Sequence, residues 1–381
     1  MSPWSIDVLG TGPVETSASG GSRAVWELSA ALVSRGHRVR VLYPDPTVRA
    51  PPPYRGIERV PVPLVGAGRR PIAREIAIGK NASSLLDART DVVFGNDTKA
   101  GALELPRGSH ATFGMYVHDV ALHSFDAARP TAPSKGFRSK VGDWIDRGTV
   151  KRLESRALRR SRFILVSSSH NQKLLGDYYH IGSAQSHAIP TGIPDPVEVG
   201  SREDARLALH IPRDVPVAVF VGRSPDRQGL PLALDAFRRV RVFFPGARFL
   251  IAGSNMRSEP GVSALGLVDE VTKAQVLRAA DVFLFPARVS GYDLPPREAM
   301  RYGIATVVSP QVSLDGIPVE TAVRVVAGDQ PGDYASVLAE LLADPAMRRT
   351  LGTAGREATD HFSYAKMAER FEAVVGPTIA G

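Results

Sequence analysis

The chain has no cysteine. That excludes a disulfide framework and thiolate chemistry, and it fits a reducing compartment, so a cytoplasmic location is expected. No run approaches the ~20 consecutive apolar residues needed to cross a bilayer. The opening MSPWSIDVLG lacks a basic n-region and a long apolar h-region, so no secretory leader is expected. No Gly-Lys-Ser/Thr occurs, which excludes a P-loop. Basic residues are spread along the chain and are not interleaved with aromatics, so a nucleic-acid partner is not expected.

What is present is an ordinary globular composition over 381 residues, long for one core. Two domains of roughly 180 residues each are the expectation. The net charge of +8 is uneven: residues 1–190 hold 26 Lys and Arg against 16 Asp and Glu, whereas residues 191–381 hold 21 against 23. The first half could face an anionic partner such as a phosphorylated acceptor or a membrane surface. A generally Arg-rich composition explains the same excess, because Arg far outnumbers Lys.

The first half alternates strand and helix. Residues 6–9 read as a strand ending in Gly10-Thr11-Gly12. A polar loop over 13–19 leads to Gly20-Gly21 and a helix over 22–35, where Val25, Leu28, Ala31 and Leu32 recur at helical steps. Residues 39–43 make the next strand, completing a βαβ unit. The third glycine of a dinucleotide fingerprint is absent at its spacing. Residues 44–53 are Pro-rich and read as a surface loop, with a strand at 60–64. A strand over 91–95 is followed by Asn96-Asp97-Thr98 as a helix cap. A strand over 112–117 delivers His118-Asp119 at its C-terminal end, the edge where open α/β sheets bind ligands. His118 either serves such a site or pairs locally with Asp119. Residues 125–140 lack a period and read as a mobile loop. The helix over 143–160 is rich in Arg and Lys, either a solvated face or a basic rim around an anionic acceptor. A strand at 163–166, a Ser167-Ser168-Ser169 cap with its helix, and a strand at 185–190 complete this half.

The second half restarts the alternation. A strand over 215–221 runs into Gly222-Arg223-Ser224-Pro225-Asp226-Arg227-Gln228-Gly229 and a helix over 230–243. A strand at 247–252 and a helix at 273–280 lead to the stretch that organises the chain, residues 281–310. There an apolar strand at 282–285 enters a turn with Ser290, Gly291 and Asp293. A helix follows with Pro295, Pro296 and Glu298 in its first turn, Gly303 ends it, and a buried strand covers 304–309. A polar loop aimed at a helix start suits an anionic ligand such as a diphosphate. Helices at 331–342, 345–360 and 364–375 close the chain.

The segment Ser290-Gly291-Tyr292-Asp293-Leu294-Pro295-Pro296-Arg297-Glu298-Ala299-Met300 resembles the donor-site signature of retaining GT-B glycosyltransferases of family 4. The signature has a Glu where Ser290 stands and keeps the second, Glu298. The resemblance spans nearly the whole chain. It implies an α/β, GT-B fold: two Rossmann-like doubly wound domains facing a central cleft. Residues 1–190 would bind the acceptor and residues 191–361 the nucleotide sugar, and a C-terminal helix in 362–381 would cross back to the first domain. Gly20 and Gly21 would let backbone approach the donor phosphate. His118 would lie beside the donor sugar and acceptor. Arg223 would grip the diphosphate. The family's second cation, a Lys, is replaced by Gln228, and Arg227 could supply it. Gly291, Tyr292, Asp293 and Leu294 would present the loop backbone to the donor, and Glu298 would accept hydrogen bonds from the ribose. No resident cofactor and no metal are implied, and no Asp-x-Asp triplet or His-rich cluster is present.

At Ser290 three readings stand: an unusual, for instance deoxygenated, donor sugar; replacement of the carboxylate by Asp293; or decayed donor binding. The functional expectation is retaining transfer of a glycosyl group to a small-molecule, glycan or lipid-linked acceptor, with peripheral membrane contact as one possibility. The alternative is a catalytically silent GT-B protein that binds a nucleotide or a protein partner. Neither the nucleotide nor the oligomeric state is legible.

Overall fold

The structure is a computed structural model that describes residues 2–10, 20–44, 54–66, 70–95, 98–127, 137–289 and 291–379. Ser290, Asn96, Asp97 and the loop residues 13–19 and 45–53 therefore lie outside the described residues. The chain divides into two compact units, residues 1–192 with 364–381, and residues 193–363.

The first unit contains, in order, β1 (Ser5–Leu9), α1 (Gly20–Ser34), β2 (Arg38–Tyr43), β3 (Ile57–Pro61), α2 (Pro71–Ser83), β4 (Val92–Gly95), α3 (Lys99–Ala102), β5 (Thr112–Val117), α4 (Ala121–Ala127), α5 (Phe137–Arg160), β6 (Phe163–Val166), α6 (Ser169–Tyr179) and β7 (His187–Ala188). Its seven strands are all parallel, in the order β3-β2-β1-β4-β5-β6-β7. A parallel sheet needs a crossover for every strand, and the crossovers cover both faces. The strands are accordingly apolar on both. Ile6, Val8, Val41 and Phe94 pack on one face with Val25, Leu28 and Leu32 of α1. Leu9, Leu42, Val93 and Met115 pack on the other with Ile78 of α2, Leu158 of α5 and Leu175 of α6.

The second unit contains α7 (Arg202–Ala208), β8 (Val217–Val221), α8 (Leu230–Val240), β9 (Arg248–Ala252), β10 (Val262–Ala264), α9 (Glu270–Ala279), β11 (Val282–Phe285), α10 (Leu294–Arg301), β12 (Ala305–Val308), β13 (Arg324–Val325), α11 (Pro331–Ala343) and α12 (Pro345–Thr359). Six parallel strands run β10-β9-β8-β11-β12-β13. The strand order reverses between β8 and β11. Chains leave such a switch point in opposite directions and open a crevice beyond the strands' carboxyl ends.

The last helix, α13 (Tyr364–Ile379), belongs to the first unit. Phe371 packs on Phe94 and Phe163 of its sheet, ring centroids 5.1 and 6.0 Å apart.

Three local expectations need correction. Residues 125–140 are not one loop: α4 runs to Ala127 and α5 begins at Phe137. The carboxylate of Glu154, on α5, accepts the Ala121 and Leu122 N–H groups (2.8 and 3.1 Å), so a distant residue satisfies the start of α4. The third strand lies at Ile57–Pro61 rather than 60–64, because it pairs from Val39↔Ile57 to Tyr43↔Pro61. Glu298 is the fifth residue of its helix, outside the first turn: Asp293 is still extended (φ −85°, ψ 121°) and helical backbone begins at Leu294.

Candidate functional site

In the second unit, β8 and β11 are neighbours, so the loop over 222–229 and the loop over 286–293 leave the sheet side by side at the switch point. They are joined by backbone. The Arg227 carbonyl accepts the N–H groups of Arg288 and Val289 at 2.8 and 3.2 Å. Gly229 makes this approach feasible. Its backbone is left-handed (φ 77°), and a Cβ there would stand 1.8 Å from the Pro286 carbonyl oxygen. Gln228 turns into its own loop. Its Oε1 accepts the Ser224 N–H at 2.9 Å, and a Cβ on Gly222 would meet that oxygen at 2.4 Å. Gln228 thus braces the loop, a different task from the cation of the signature. Arg223 and Arg227 remain the loop's two guanidinium groups.

The 286–293 loop ends at α10. Asp293 is its N-cap residue and makes no side-chain cap hydrogen bond. Leu294 is the first helical residue, followed by Pro295 and Pro296. A helix start leaves the N–H positions of 293–296 without intrahelical acceptors; Pro295 and Pro296 have no N–H, so of these only Asp293 and Leu294 carry one. The helix start is therefore a leaner anion receptor than its position suggests. Glu298 is buried one turn in, and a helical Cα–Cβ bond leans toward the N-terminus. Both its oxygens stand 3.2 Å from the ammonium of Lys273 on α9. Lys273 also pairs with Glu270 at 3.0 Å.

Arg297, beside Glu298, is fully buried. Its guanidinium lies 4.4 Å from the Tyr292 ring centroid and 5.1 Å from that of Phe362. It donates to the carbonyls of Ser313 (3.0 Å) and Asp315 (3.4 Å). Arg297 thereby fixes Tyr292 and the loop that carries Gly291 and Asp293. At the far end of α10, burial pushes the Tyr302 hydroxyl up, so it stays neutral while accepting the Val197 N–H at 2.9 Å.

Sequence reasoning missed Lys273 and Arg297. Lys273 lies 25 residues before Glu298, on the other side of β11, where no local spacing signals the pair. Arg297 stands inside the signature at a variable position.

In the first unit, His118 follows β5. Its carbonyl accepts the Ser167 hydroxyl at 3.0 Å and the side-chain amide of Asn171. Its ring stands edge-on to Tyr116, centroids 4.2 Å apart. A Cβ on Gly21 would lie 3.7–3.9 Å from the His118 side chain, ordinary van der Waals distance. The structure therefore brings Gly21 and His118 together, with Gly20 opening α1. Among the described residues, no group of three His, Asp or Glu stands close enough to hold a metal ion, and no helix is long and apolar enough to cross a membrane.

Two family profiles match the chain: residues 18–195 match the family described as Glycosyltransferase Family 4, and residues 215–344 match Glycosyl transferases group 1. Phosphatidyl-myo-inositol mannosyltransferase of Mycobacterium leprae is 27% identical over 387 residues, covering 97% of this chain and 93% of that protein. D-inositol 3-phosphate glycosyltransferase of Mycolicibacterium vanbaalenii is 30% identical over 301 residues, which span 69% of this chain and 60% of that protein. Among solved structures, sucrose-phosphate synthase from Thermosynechococcus elongatus superposes with a TM-score of 0.77 at 20% identity, covering 99% of each chain.

Proposed function

The chain belongs to the group 1, family 4 glycosyltransferases and has their GT-B fold, and from that premise we propose that it transfers a glycosyl group from a nucleoside-diphosphate sugar with retention of configuration and without a metal ion. The observation that carries the reading is Glu298, buried at the switch point of the second unit with Lys273 on both its oxygens. Each carboxylate oxygen has two acceptor positions, so one carboxylate can hold an ammonium and ribose hydroxyls together. A hydrogen bond to a charged group is worth about 1.5–3 kcal/mol. The diphosphate is met by Arg223 and Arg227 and by N–H groups of residues 291–294. Guanidinium forks match phosphate oxygens in two-point fashion and stay charged at every working pH.

In the proposed step the bond from the anomeric carbon to the phosphate oxygen breaks. The acceptor oxygen forms its bond on the same face, and its proton passes to the departing phosphate oxygen. Arg223 and Arg227 stabilise the charge that grows there. His118, against Gly21 in the first unit, positions a hydroxyl of the transferred sugar, and the first unit takes the acceptor. Two features support a phosphorylated, anionic acceptor: the excess of 26 basic over 16 acidic residues in 1–190, and the inositol phosphate compounds named for the relatives. Serine at 290, where the signature has a carboxylate, supports a donor sugar lacking or masking the hydroxyls that such a carboxylate holds.

The test is a thermal-shift panel of nucleoside diphosphates and their sugars, followed by transfer to inositol phosphates. A ligand at 100 times its dissociation constant adds about 2.7 kcal/mol of stability. One nucleotide series should stabilise the protein, with chelator present, and product NMR should show the donor's own anomeric configuration. No stabilisation by any nucleoside diphosphate would overturn the reading.

A further inference from the structure

The helix α5 presents one stripe to solvent. Its exposed residues, among those whose side chains are described, are Trp144, Ile145, Gly148, Lys151, Arg152, Arg156 and Arg159. At 100° per residue they fall within one sector of the helix. No carboxylate lies in that sector. Asp143 and Asp146, half-buried, and Glu154, which is buried and caps α4, all lie on the side of the helix turned away from the stripe. Arg156 pairs with Glu104, but no ion pair among the described residues involves Lys151, Arg152 or Arg159. Two large apolar side chains head the stripe: Trp144 is 72% exposed and Ile145 48%. A groove of about 560 Å³ adjoins it, lined by Ile76 of α2 and Leu153 together with Trp144, Ile145, Arg152 and Arg156 of the stripe itself.

An exposed Trp on a solvated helix leaves a large apolar surface in water. A cationic stripe without carboxylates repels itself. Both penalties are relieved together by one environment, the headgroup region of an anionic bilayer, where indole rings settle and cations meet lipid phosphates. We propose that this face of α5 is a peripheral docking surface for anionic lipid bilayers, with Trp144 and Ile145 inserted and Lys151, Arg152 and Arg159 against the phosphates. The surface is separate from the donor residues, and its test does not depend on glycosyl transfer.

The chain reports on this itself. It has three tryptophans, of which Trp4 and Trp26 are 8% and 1% exposed, so only Trp144 can reach a bilayer. The full chain is mixed with vesicles of phosphatidylcholine alone or with phosphatidylglycerol, and with brominated lipids of both compositions. Binding is expected only with phosphatidylglycerol, and it should weaken as salt is raised. Trp fluorescence should shift to the blue and be quenched by shallow bromines. Each cation near an anionic surface contributes about fivefold, so K151Q/R152Q/R159Q should weaken binding by about 100-fold. W144F should bind somewhat less and lose the fluorescence response. The exposed triple variant R213Q/R257Q/R349Q, on the second unit, should bind as the native chain does. Circular dichroism confirms that each variant is folded. The proposal is overturned if the native chain ignores phosphatidylglycerol vesicles, if both triple variants weaken alike, or if Trp144 is not quenched. Binding to nucleic acid or to acidic protein in place of the vesicles overturns it equally.

Discussion

The ammonium of Lys273 stands 3.2 Å from each carboxylate oxygen of Glu298. The two residues belong to the helices that precede and follow β11, so the pair clamps the strand whose end carries the signature loop. Glu298 is buried and Lys273 largely so, and removing Lys273 takes the ammonium away from both oxygens of a buried carboxylate. Lys273→Met should therefore cost stability and also weaken donor binding by about 10- to 100-fold, as Glu298 loses its fixed orientation. Lys273→Arg should recover most of the binding. Calorimetry with the donor nucleotide, alongside melting temperature, separates the two effects. A variant that melts earlier yet binds normally would assign the pair to stability alone.

Glu298→Gln keeps the shape and removes the charge. It should weaken nucleoside-diphosphate binding by about 10- to 100-fold, the worth of a hydrogen bond to a charged acceptor. The loss should be smaller for a 2′,3′-dideoxy nucleotide, which has no hydroxyls to offer. Equal losses for both nucleotides would remove the ribose from the account.

Gly229→Ala tests the joint between the two loops. The added Cβ meets the Pro286 carbonyl oxygen at 1.8 Å, and φ is 77°. Left-handed backbone costs a non-glycine residue about 1–2 kcal/mol, and the overlap adds to that. The loops must part, which breaks the Arg288 and Val289 hydrogen bonds to Arg227. Donor binding should fall below detection while circular dichroism stays native-like. Unchanged binding would show that the joint does not shape the site.

Much of this was legible in sequence, for stated physical reasons. The parallel, doubly covered sheets followed from apolar strands such as 282–285 alternating with helical periods, because only crossover helices bury both faces of such strands. Ser168 announced α6 and accepts the Asn171 N–H at 3.1 Å. Other elements went unread. Helix α7 begins with a capping box, Ser201 and Asp204, a signal present in the sequence and overlooked. Helix α4 has no such signal, since its cap is Glu154, 33 residues away. In the site, residue types were legible where a local signature held them. Lys273 and the bracing role of Gln228 depend on contacts made only after folding.

His118→Ala should separate the two binding tasks. The His118 side chain packs beside Gly21 in the first unit, whereas the proposed donor contacts lie in the second. The substitution should leave nucleoside-diphosphate affinity unchanged and lower transfer by about tenfold, the scale of one lost hydrogen bond. Steady-state kinetics with matched calorimetry reads both. An equal loss of nucleotide affinity would place His118 with the diphosphate instead.

Glu372 links the stability of the first unit to pH through its contacts with Arg35 and His37. It receives a two-point contact from Arg35, at 2.6 and 2.7 Å, and lies 2.9 Å from His37 Nε2. His37 Nδ1 accepts the Trp4 N–H at 3.0 Å, which leaves Nε2 as the donor to Glu372. The Arg35 contact, with help from His37, holds the Glu372 carboxyl below its ordinary range against the opposing effect of burial. An unfolded glutamate titrates near ~4.3. The pair therefore stabilises the fold fully above that pH, and the contribution disappears as pH falls through the lower folded value. Asp7, whose carboxyl is pushed up by burial, contributes with the opposite sign. The informative quantity is thus the difference between the native chain and Glu372→Gln. At neutral pH the native chain should be more stable by roughly 1–2 kcal/mol, allowing for solvent on Arg35. As pH falls from 5 to 3, about the range of carboxylate titration, the two denaturation midpoints should converge. A difference that stays constant across that range would show that Glu372 acts through packing and not through its charge.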